Sequence, residues 1–332
     1  MSKFHVALTA DFYCPDGAMK FSDIGLSTFE GRAEISVRPF AEHRPQIGAD
    51  QLAGANGVIV LTPQVTRASV ADARDLLAIG RFGVGYDSVD VGACTDADVL
   101  VCITVGAVDR PVAEATVGWM IALTHHMSVK HRLVHEARWD ERSQYMGREL
   151  RDRTLGVIGL GGIARKLIGL LAGWEMRPPF AYDPHVDPAV AQQLGVRLVE
   201  LDELLQSSDF VSIHCPLTAT TRGLIGRREL GLMRPDAYLI NTARGGIVDE
   251  DALYDALATR RLGGSALDVW YRYPTGPGPT LPSRRPFHEL PNVLMTPHVS
   301  GWTEGMMQAR AKLIAENVAR VSRGERPLSE VR

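Results

Sequence analysis

The feature that most constrains the fold is a glycine loop near the middle of the chain. Residues 154–158 have the alternating, branched character of a short buried strand. Three small residues follow in the spacing G-x-G-x-x-A, namely Gly159, Gly161 and Ala164, and residues 163–171 continue as an apolar helix. In this pattern the first glycine permits a tight turn, the second lets the backbone approach a pyrophosphate, and the third small residue lets the helix pack against the strand. The N–H groups at the helix N-terminus are then free to bind phosphates.

An acidic residue stands where such a loop needs one. A second apolar run, residues 179–182, ends in Asp183, about 20 residues beyond the glycines. A carboxylate at that position accepts the ribose hydroxyls and repels a 2′-phosphate, so the pattern favours NAD over NADP. The alternative, an ordinary glycine turn in another α/β protein, does not account for the whole order of strand, loop, helix, strand and acid.

Composition argues against several classes of function. The 332 residues carry a net charge of −3 and the basic residues are scattered, so we expect no nucleic-acid partner. No apolar run approaches the roughly 18 residues that span a bilayer, and the first residues show no leader pattern. The four cysteines are widely spaced and predict neither a metal site nor a disulfide framework. These observations predict a cytoplasmic protein with reduced thiols and no membrane partner.

Strands and helices alternate on both sides of the glycine loop. Strands are predicted at residues 4–9, 33–37, 57–61 and 100–103 before the loop, and at residues 210–214, 237–241, 264–268 and 293–296 after it. A helix is predicted over residues 70–77. Alternation with short connections indicates parallel sheets, and the length indicates two domains.

Two further helices are predicted outside the strand pattern. Pro111 begins an apolar helix that extends to residue 139, and so apolar a helix lies in a core or a subunit interface. It carries four histidines without a pattern of carboxylate partners, which we interpret as surface or interface residues rather than metal ligands: His125, His126, His131 and His135. An amphipathic helix over residues 303–322 is expected to return to the first domain, with no strand after it.

Seven segments, in order, resemble the D-isomer-specific 2-hydroxyacid dehydrogenase family, of the phosphoglycerate dehydrogenase-like kind. They are RFGVGYDSVD, PVAEATVGWMIAL, GLGGIA, SIHCPLTATTRGLI, INTARGGIVDEDAL, ALDVW and LPNVLMTPHVSG. The resemblance implies an α/β fold of two doubly wound parallel-sheet domains. A Rossmann coenzyme domain, residues 104–298, is then inserted in a flavodoxin-like substrate domain, residues 1–103 and 299–332. It also implies NAD-dependent hydride transfer between a D-2-hydroxy acid and its 2-oxo acid, and a homodimer formed through the coenzyme domain.

The same resemblance assigns roles to individual residues. Arg244 resembles the substrate-binding arginine, because a guanidinium can hold a carboxylate while it polarises a carbonyl. His298 resembles the acid–base, since imidazole titrates near working pH. Val84 and Gly85 resemble the backbone amides that receive the substrate carboxylate. Cofactor contacts are expected from Gly159, Gly161, Gly162, Ile163, Asp183, His214, Cys215, Pro216, Thr221, Thr242, Ala243, Asp268 and Gly301, and no metal is expected.

One position departs from the family pattern. The family carries a glutamate, five residues after the aspartate of ALDV, that pairs with the histidine and raises its pKa; this chain has Tyr273 there. A phenol can hydrogen-bond imidazole but has no charge at neutral pH. We therefore count Tyr273 among the catalytic residues and expect a lower pH optimum, because the imidazolium is less stabilised.

The departure leaves two alternatives open. The missing glutamate is compatible with a catalytically weakened, NAD(H)-sensing interaction protein on the same scaffold, although the presence of Arg244 and His298 favours the enzyme. Residues 275–290, with Arg284 and Arg285, are either a lid with extra anion contacts or a solvated loop.

Overall fold

The chain forms two α/β units. The computed structural model describes residues 3–14, 16–21, 24–274 and 278–331. The first unit comprises Met1–Val108 and Trp302–Arg332, and the second is Asp109–Gly301. Each unit contains a doubly wound, predominantly parallel sheet, which confirms the predicted fold class.

The described residues of the first unit form six strands. They are β1 (Phe4–Leu8), β2 (Ile35–Pro39), β3 (Gly57–Val60), β4 (Ala78–Arg81), β5 (Leu100–Cys102) and β13 (Glu330–Val331). The helices are α1 (Ala49–Leu52), α2 (Arg67–Val70), α3 (Val91–Asp96) and α11 (Glu304–Ser322), with 3-10 turns at Ala10–Phe12 and Leu26–Phe29. The strand order β2-β1-β3-β4-β5 is that of a flavodoxin-like sheet, in which ligands bind beyond the carboxyl ends of the strands.

Helix α11 completes the core of this unit. Ile314 and Val318 pack with Val6, Leu8 and Ile59 from the first and third strands. The apolar stripe that makes the helix amphipathic is therefore the surface that covers the sheet.

The last strand was not predicted. Glu330 pairs antiparallel with Cys102, so β13 extends the sheet beyond β5, and the expectation that no strand follows α11 is wrong. The approach is fixed by a hydrogen bond from Leu328 N to the side chain of Asn317, which is fully buried. A strand of two residues has no periodicity that a sequence pattern could reveal.

The prediction of a helix over residues 70–77 is also wrong. The helix begins earlier, at Arg67 after the capping residue Thr66, and ends at Val70. The chain then continues through tight turns to the start of β4 at Ala78. Val70 and Leu76 both remain buried, so their apolar spacing reflects two separate contacts with the core rather than one helix face.

In the second unit, the part of the chain that the structure describes forms seven parallel strands. They are β6 (Leu155–Ile158), β7 (Phe180–Tyr182), β8 (Arg197–Leu198), β9 (Phe210–Ile213), β10 (Tyr238–Asn241), β11 (Gly264–Leu267) and β12 (Val293–Met295). Their order is β8-β7-β6-β9-β10-β11-β12, the Rossmann order, with its switch point between β6 and β9. The helices are α4 (Asp109–Thr124), α5 (Met127–His135), α6 (Gly162–Leu170), α7 (Pro188–Gln193), α8 (Leu201–Ser207), α9 (Arg227–Leu232) and α10 (Glu250–Ala258).

The long helix predicted from Pro111 is broken into α4 and α5. His126 adopts a left-handed conformation with φ of 52°. The carbonyl of Thr124 accepts a hydrogen bond from Arg148 N at 3.0 Å, and so a distant loop uses the acceptor that a continuous helix would need. No glycine or proline marks this break, which is why the sequence pattern runs through it.

The described residue ranges contain neither a membrane-spanning helix nor a cluster of metal-binding side chains. No helix there combines the length and the apolar character that crossing a membrane requires. The same residues contain no group of three or more histidine, cysteine, aspartate or glutamate side chains that could hold a metal ion.

Candidate active site

The glycine loop joins β6 to α6 at the carboxyl edge of the second sheet. Gly159 has φ of 91°, and a Cβ there would lie 2.8 Å from Cys215 N, so both the backbone conformation and the available space require glycine. Gly161 caps α6, and a Cβ added to it would meet nothing within 4 Å. The space beside Gly161 is therefore open, whereas a Cβ on Gly162, the first residue of α6, would meet the Asp109 carboxylate. Ala164, in the first turn of α6, is fully buried. This cradle fits the pyrophosphate of a dinucleotide.

Asp183 lies against that loop. It follows β7, and its Oδ2 accepts a hydrogen bond from Leu160 N at 2.8 Å, while Oδ1 accepts one from His185 N at 2.9 Å. The carboxylate is thus held by backbone amides that follow β6 and β7, at the carboxyl edge of the sheet. A fixed carboxylate beside the glycine loop is suited to accept ribose hydroxyls.

His214 and Thr242 lie side by side at the ends of β9 and β10. The His214 ring is 2.9 Å from Ser212 Oγ through Nε2 and 3.4 Å from Thr242 Oγ1 through Nδ1. Burial lowers the pKa of His214 to about 4, so the imidazole is neutral at physiological pH. Burial likewise raises the pKa of the neighbouring Cys215 thiol to about 11, which keeps it protonated.

The other residues predicted to contact the cofactor belong to the same unit. Gly162 and Ile163 form the first turn of α6, Pro216 and Thr221 follow β9, Ala243 follows β10, and Gly301 ends the unit. Thr221 Oγ1 donates to Pro216 O at 2.6 Å, which closes the loop after β9 on itself.

Arg244 stands at the carboxyl end of β10, where it caps a 3-10 turn, Gly245–Ile247. Its Nη1 donates to Ala243 O at 2.8 Å, and the side chain is half-buried. A Cβ on Gly245 would lie 2.4 Å from Trp270 O, so the turn packs tightly against the segment that follows β11. That close contact fixes the backbone from which the guanidinium extends.

His298 lies in a strained turn after β12. Its φ is 60°, a left-handed conformation that residues with a Cβ seldom adopt, and such strain is concentrated at functional sites. Asp268, which is fully buried, braces the turn: it accepts hydrogen bonds from Thr296 Oγ1 at 2.6 Å, Val299 N at 2.8 Å and Ser300 N at 2.8 Å. In this structure the Asp268 carboxylate holds the His298 turn, and its predicted role near the nicotinamide stays a prediction.

Tyr273 contacts His298 directly. The phenol oxygen lies 3.0 Å from His298 Nδ1 and accepts a longer hydrogen bond from Trp270 N at 3.3 Å. Tyr273 is 45% exposed, so water reaches this pair. The hydrogen bond that the sequence predicts between these two side chains is present.

Val84 and Gly85 belong to the first unit. They follow β4, at the carboxyl edge of its sheet. The turn is held by a hydrogen bond from Thr104 N to Gly83 O at 3.0 Å. This is the edge at which ligands of such sheets bind.

Two supporting groups escaped the sequence analysis. Trp270 Nε1 donates to Thr296 O at 2.8 Å, which adds a second brace to the His298 turn. Arg284 and Arg285 form ion pairs with carboxylates of α10, so these two arginines are anchored on that helix, whereas residues 278–281 of the same segment are exposed. Residues 275–277 lie outside the described residues. These contacts join positions far apart in the chain, and no local pattern reveals them.

Comparison with known proteins points to one family. Residues 117–300 match the model described as D-isomer specific 2-hydroxyacid dehydrogenase, NAD binding domain. The chain is 38% identical over 263 residues to a D-3-phosphoglycerate dehydrogenase of Methanocaldococcus jannaschii, which covers 79% of this chain and 48% of that protein. It is 31% identical over 308 residues to a glyoxylate reductase of Korarchaeum cryptofilum, with 91% of each chain covered.

Solved structures agree with this result. A D-lactate dehydrogenase from Aquifex aeolicus, complexed with NAD and lactic acid, superposes with a TM-score of 0.83 at 26% identity and covers 96% of both chains. The chain spans about half the length of the phosphoglycerate dehydrogenases it matches, since 48% and 46% of the two proteins from Methanocaldococcus jannaschii and Archaeoglobus fulgidus are aligned.

Proposed function

We propose that this chain, which belongs to the D-isomer specific 2-hydroxyacid dehydrogenase family, is an NAD-dependent oxidoreductase acting on a D-2-hydroxy acid and its 2-oxo acid. The observation that carries the proposal is that two features follow strands of the same sheet in the second unit. A dinucleotide cradle lies at one strand end, and Arg244, Tyr273 and His298 follow other strands of the same sheet.

NAD is held by the coenzyme unit. The glycine loop and the N-terminus of α6 receive its pyrophosphate, and Asp183 receives its ribose hydroxyls. Neutral His214 and the uncharged residues Cys215, Pro216, Thr221, Thr242 and Ala243 would contact the remainder of the coenzyme. NAD(H), when bound, supplies or accepts the hydride; the remaining chemistry belongs to the side chains.

Arg244 and His298 have different roles toward the substrate: Arg244 binds it, and His298 transfers the proton. Arg244 binds the carboxylate of the 2-oxo acid and stabilises the negative charge that develops on its carbonyl oxygen. The role of the Val84 and Gly85 amides, in the first unit, stays a prediction from the family resemblance. His298 Nε2 donates a proton to the developing alkoxide during reduction and removes it during oxidation.

Tyr273 determines which ring nitrogen of the neutral His298 carries the proton. The phenol oxygen accepts from Trp270 N, and its own hydrogen can be donated to Nδ1, 3.0 Å away. The neutral imidazole then keeps its proton on Nε2, the nitrogen that faces the substrate in the proposed mechanism. When His298 is protonated, Nδ1 becomes a donor to the phenol oxygen instead. Neither arrangement contributes the negative charge that a glutamate would.

The test is the oxidation of NADH, followed by absorbance, in the presence of a panel of 2-oxo acids. Glyoxylate, pyruvate and 3-phosphohydroxypyruvate cover the chemistry that the names of the relatives imply. Steady turnover with at least one acid supports the proposal. No turnover with any of them, combined with tight NADH binding, would favour the alternative of a nucleotide-sensing interaction protein.

We also propose that the chain forms a homodimer through the coenzyme unit and acts in the cytoplasm. The surface of α5 and of the residues after it exposes four large apolar side chains, which are Met127, Val134, Trp139 and Met146, the last of them 85% exposed. Exposed apolar residues grouped in this way are typical of an interface. Light scattering of the purified protein measures the oligomeric state, and Trp139→Ser is expected to weaken the dimer.

A further inference from the structure

The backbone holds the Tyr273 side chain beside His298. The side chain is 45% exposed, so burial in the core does not hold it. Its neighbour Arg272 donates through its backbone N–H to Pro282 O at 2.9 Å, and this bond closes the base of the loop that follows Tyr273. Whatever fixes Pro282 therefore also fixes the backbone next to Tyr273.

Glu250, at the start of α10, holds the residues directly after Pro282. Its Oε1 accepts from Ser283 Oγ at 2.7 Å and from Arg284 N at 2.8 Å, and its Oε2 accepts from Arg284 Nε at 2.9 Å. Glu250 and Ser283 are both buried, so these bonds are shielded from water and are stronger than exposed ones. Burial by itself raises the pKa of Glu250, but the bonds from Ser283 and Arg284 outweigh burial and hold the pKa below its usual range, so the carboxylate stays charged.

Arg285 and Phe287 extend this attachment. The Arg285 guanidinium lies 4.3 Å from the centre of the Tyr254 ring, and its Nη2 is 2.8 Å from Asp255 Oδ1. Phe287 is almost fully buried, with its ring centre 5.4 Å from that of Tyr254 and 6.3 Å from that of Trp270. We name the residues Glu250, Asp255, Ser283, Arg284 and Arg285 the α10 anchor.

We propose that the α10 anchor is a positioning device for catalysis: by fixing the base of the loop at Arg272 and Pro282, it keeps the Tyr273 hydroxyl within hydrogen-bonding distance of His298. Glu250 is thus a positioning residue that acts through Tyr273 and does not touch the substrate. The inference rests on the proposed function, in which His298 moves the proton.

The experiment uses Glu250→Ala, Tyr273→Phe and the double variant, in the full chain with NADH bound. Arg228→Ala is the matched control, because it removes other arginine–carboxylate pairs, with Asp202 and Glu229, outside the anchor. Two experiments are made: steady-state kinetics, which give kcat for 2-oxo acid reduction and the KM for NADH, and NMR, which gives the 15N resonance of His298 Nδ1. The resonance reports the contact with Tyr273 even if no turnover is found.

If the anchor acts through Tyr273, Glu250→Ala lowers kcat about fivefold, the worth of one neutral hydrogen bond, and leaves the KM for NADH unchanged. It also moves the Nδ1 resonance in the same direction as Tyr273→Phe does. In the double variant Glu250→Ala adds nothing further, and Arg228→Ala changes none of these quantities.

Other outcomes overturn the inference. An unchanged Nδ1 resonance in Glu250→Ala, or losses of kcat that multiply in the double variant, shows that the anchor does not act through Tyr273. If Glu250→Ala fails to fold, Arg285→Ala is used instead, because it removes the bonds to Asp251 and Asp255 and the Tyr254 contact but leaves the bonds of Glu250 in place, and the same rules apply to it. Absence of turnover in the wild-type protein refutes the proposed function, whereas the resonance still decides on the anchor.

Discussion

Replacing Tyr273 by glutamate tests the chemistry of the site most sharply. Tyr273→Glu restores a charged partner for His298 at a place where the present partner oxygen lies 3.0 Å from Nδ1. A carboxylate there favours the imidazolium, so the pKa of His298 is expected to rise. The direction follows from charge alone and does not depend on the identity of the substrate.

The size of the shift follows from distance and exposure. Two unit charges about 4 Å apart interact by about 1 kcal/mol in water and about 4 kcal/mol near a protein surface. Because Tyr273 is 45% exposed, we expect a value between these limits, about 1.4 to 2.8 kcal/mol. That energy corresponds to a rise of about one to two pKa units.

The assay is the pH profile of kcat/KM for 2-oxo acid reduction. Reduction requires protonated His298 in the free enzyme, so kcat/KM falls as pH rises through the pKa of His298. In Tyr273→Glu this fall should move about one to two units to higher pH. Tyr273→Gln, which has the shape of glutamate without its charge, should leave the fall near its wild-type position. The reasoning would be refuted if the pH profile of Tyr273→Glu coincided with that of the wild type, or if the profile of Tyr273→Gln shifted as much as that of Tyr273→Glu.

Three more predictions concern the substrate, the coenzyme and acid stability. Arg244→Ala and His298→Ala should each lower turnover about 10² to 10³-fold while fluorescence titration still detects NADH binding; unchanged turnover removes that residue from the mechanism. Asp183→Ser should relax the preference for NADH, and wild-type protein that uses NADPH equally well contradicts the assignment. Because the pKa of His214 is lowered to about 4, the unfolded chain binds a proton between this pH and the usual histidine pKa of about 6.5, whereas the folded chain does not. The urea concentration at the unfolding midpoint should therefore decrease as the pH is lowered from about 6.5 towards 4, and it should decrease less in His214→Gln.

The sequence predicts the second unit well because its signals are local. The glycine loop requires a left-handed residue at Gly159 and a small one at Ala164, and both requirements can be recognised within a few positions. Buried parallel strands are continuous apolar runs, and polar residues at their ends indicate the ligand edge. The fold class and the family were therefore predicted correctly.

The errors arise where distant contacts decide the local structure. The break at His126 depends on the hydrogen bond from Arg148 N to Thr124 O, and β13 depends on the partner that β5 offers. The support of the catalytic turn by Trp270 likewise joins residues 26 positions apart. Such contacts leave no periodic trace, so neither propensity nor spacing could have revealed them.

The first unit is assembled from both ends of the chain, and this has a consequence for synthesis on the ribosome. Residues 1–108 leave the ribosome long before α11, which covers Val6, Leu8 and Ile59. About 200 residues separate the two segments, so at about 5 to 20 residues per second the wait lasts about 10 to 40 seconds. During that time one apolar face of the nascent sheet lacks the cover that α11 provides, while the intervening unit, continuous in sequence, can fold. The newly made N-terminal strands should therefore be the part of this protein that chaperones bind.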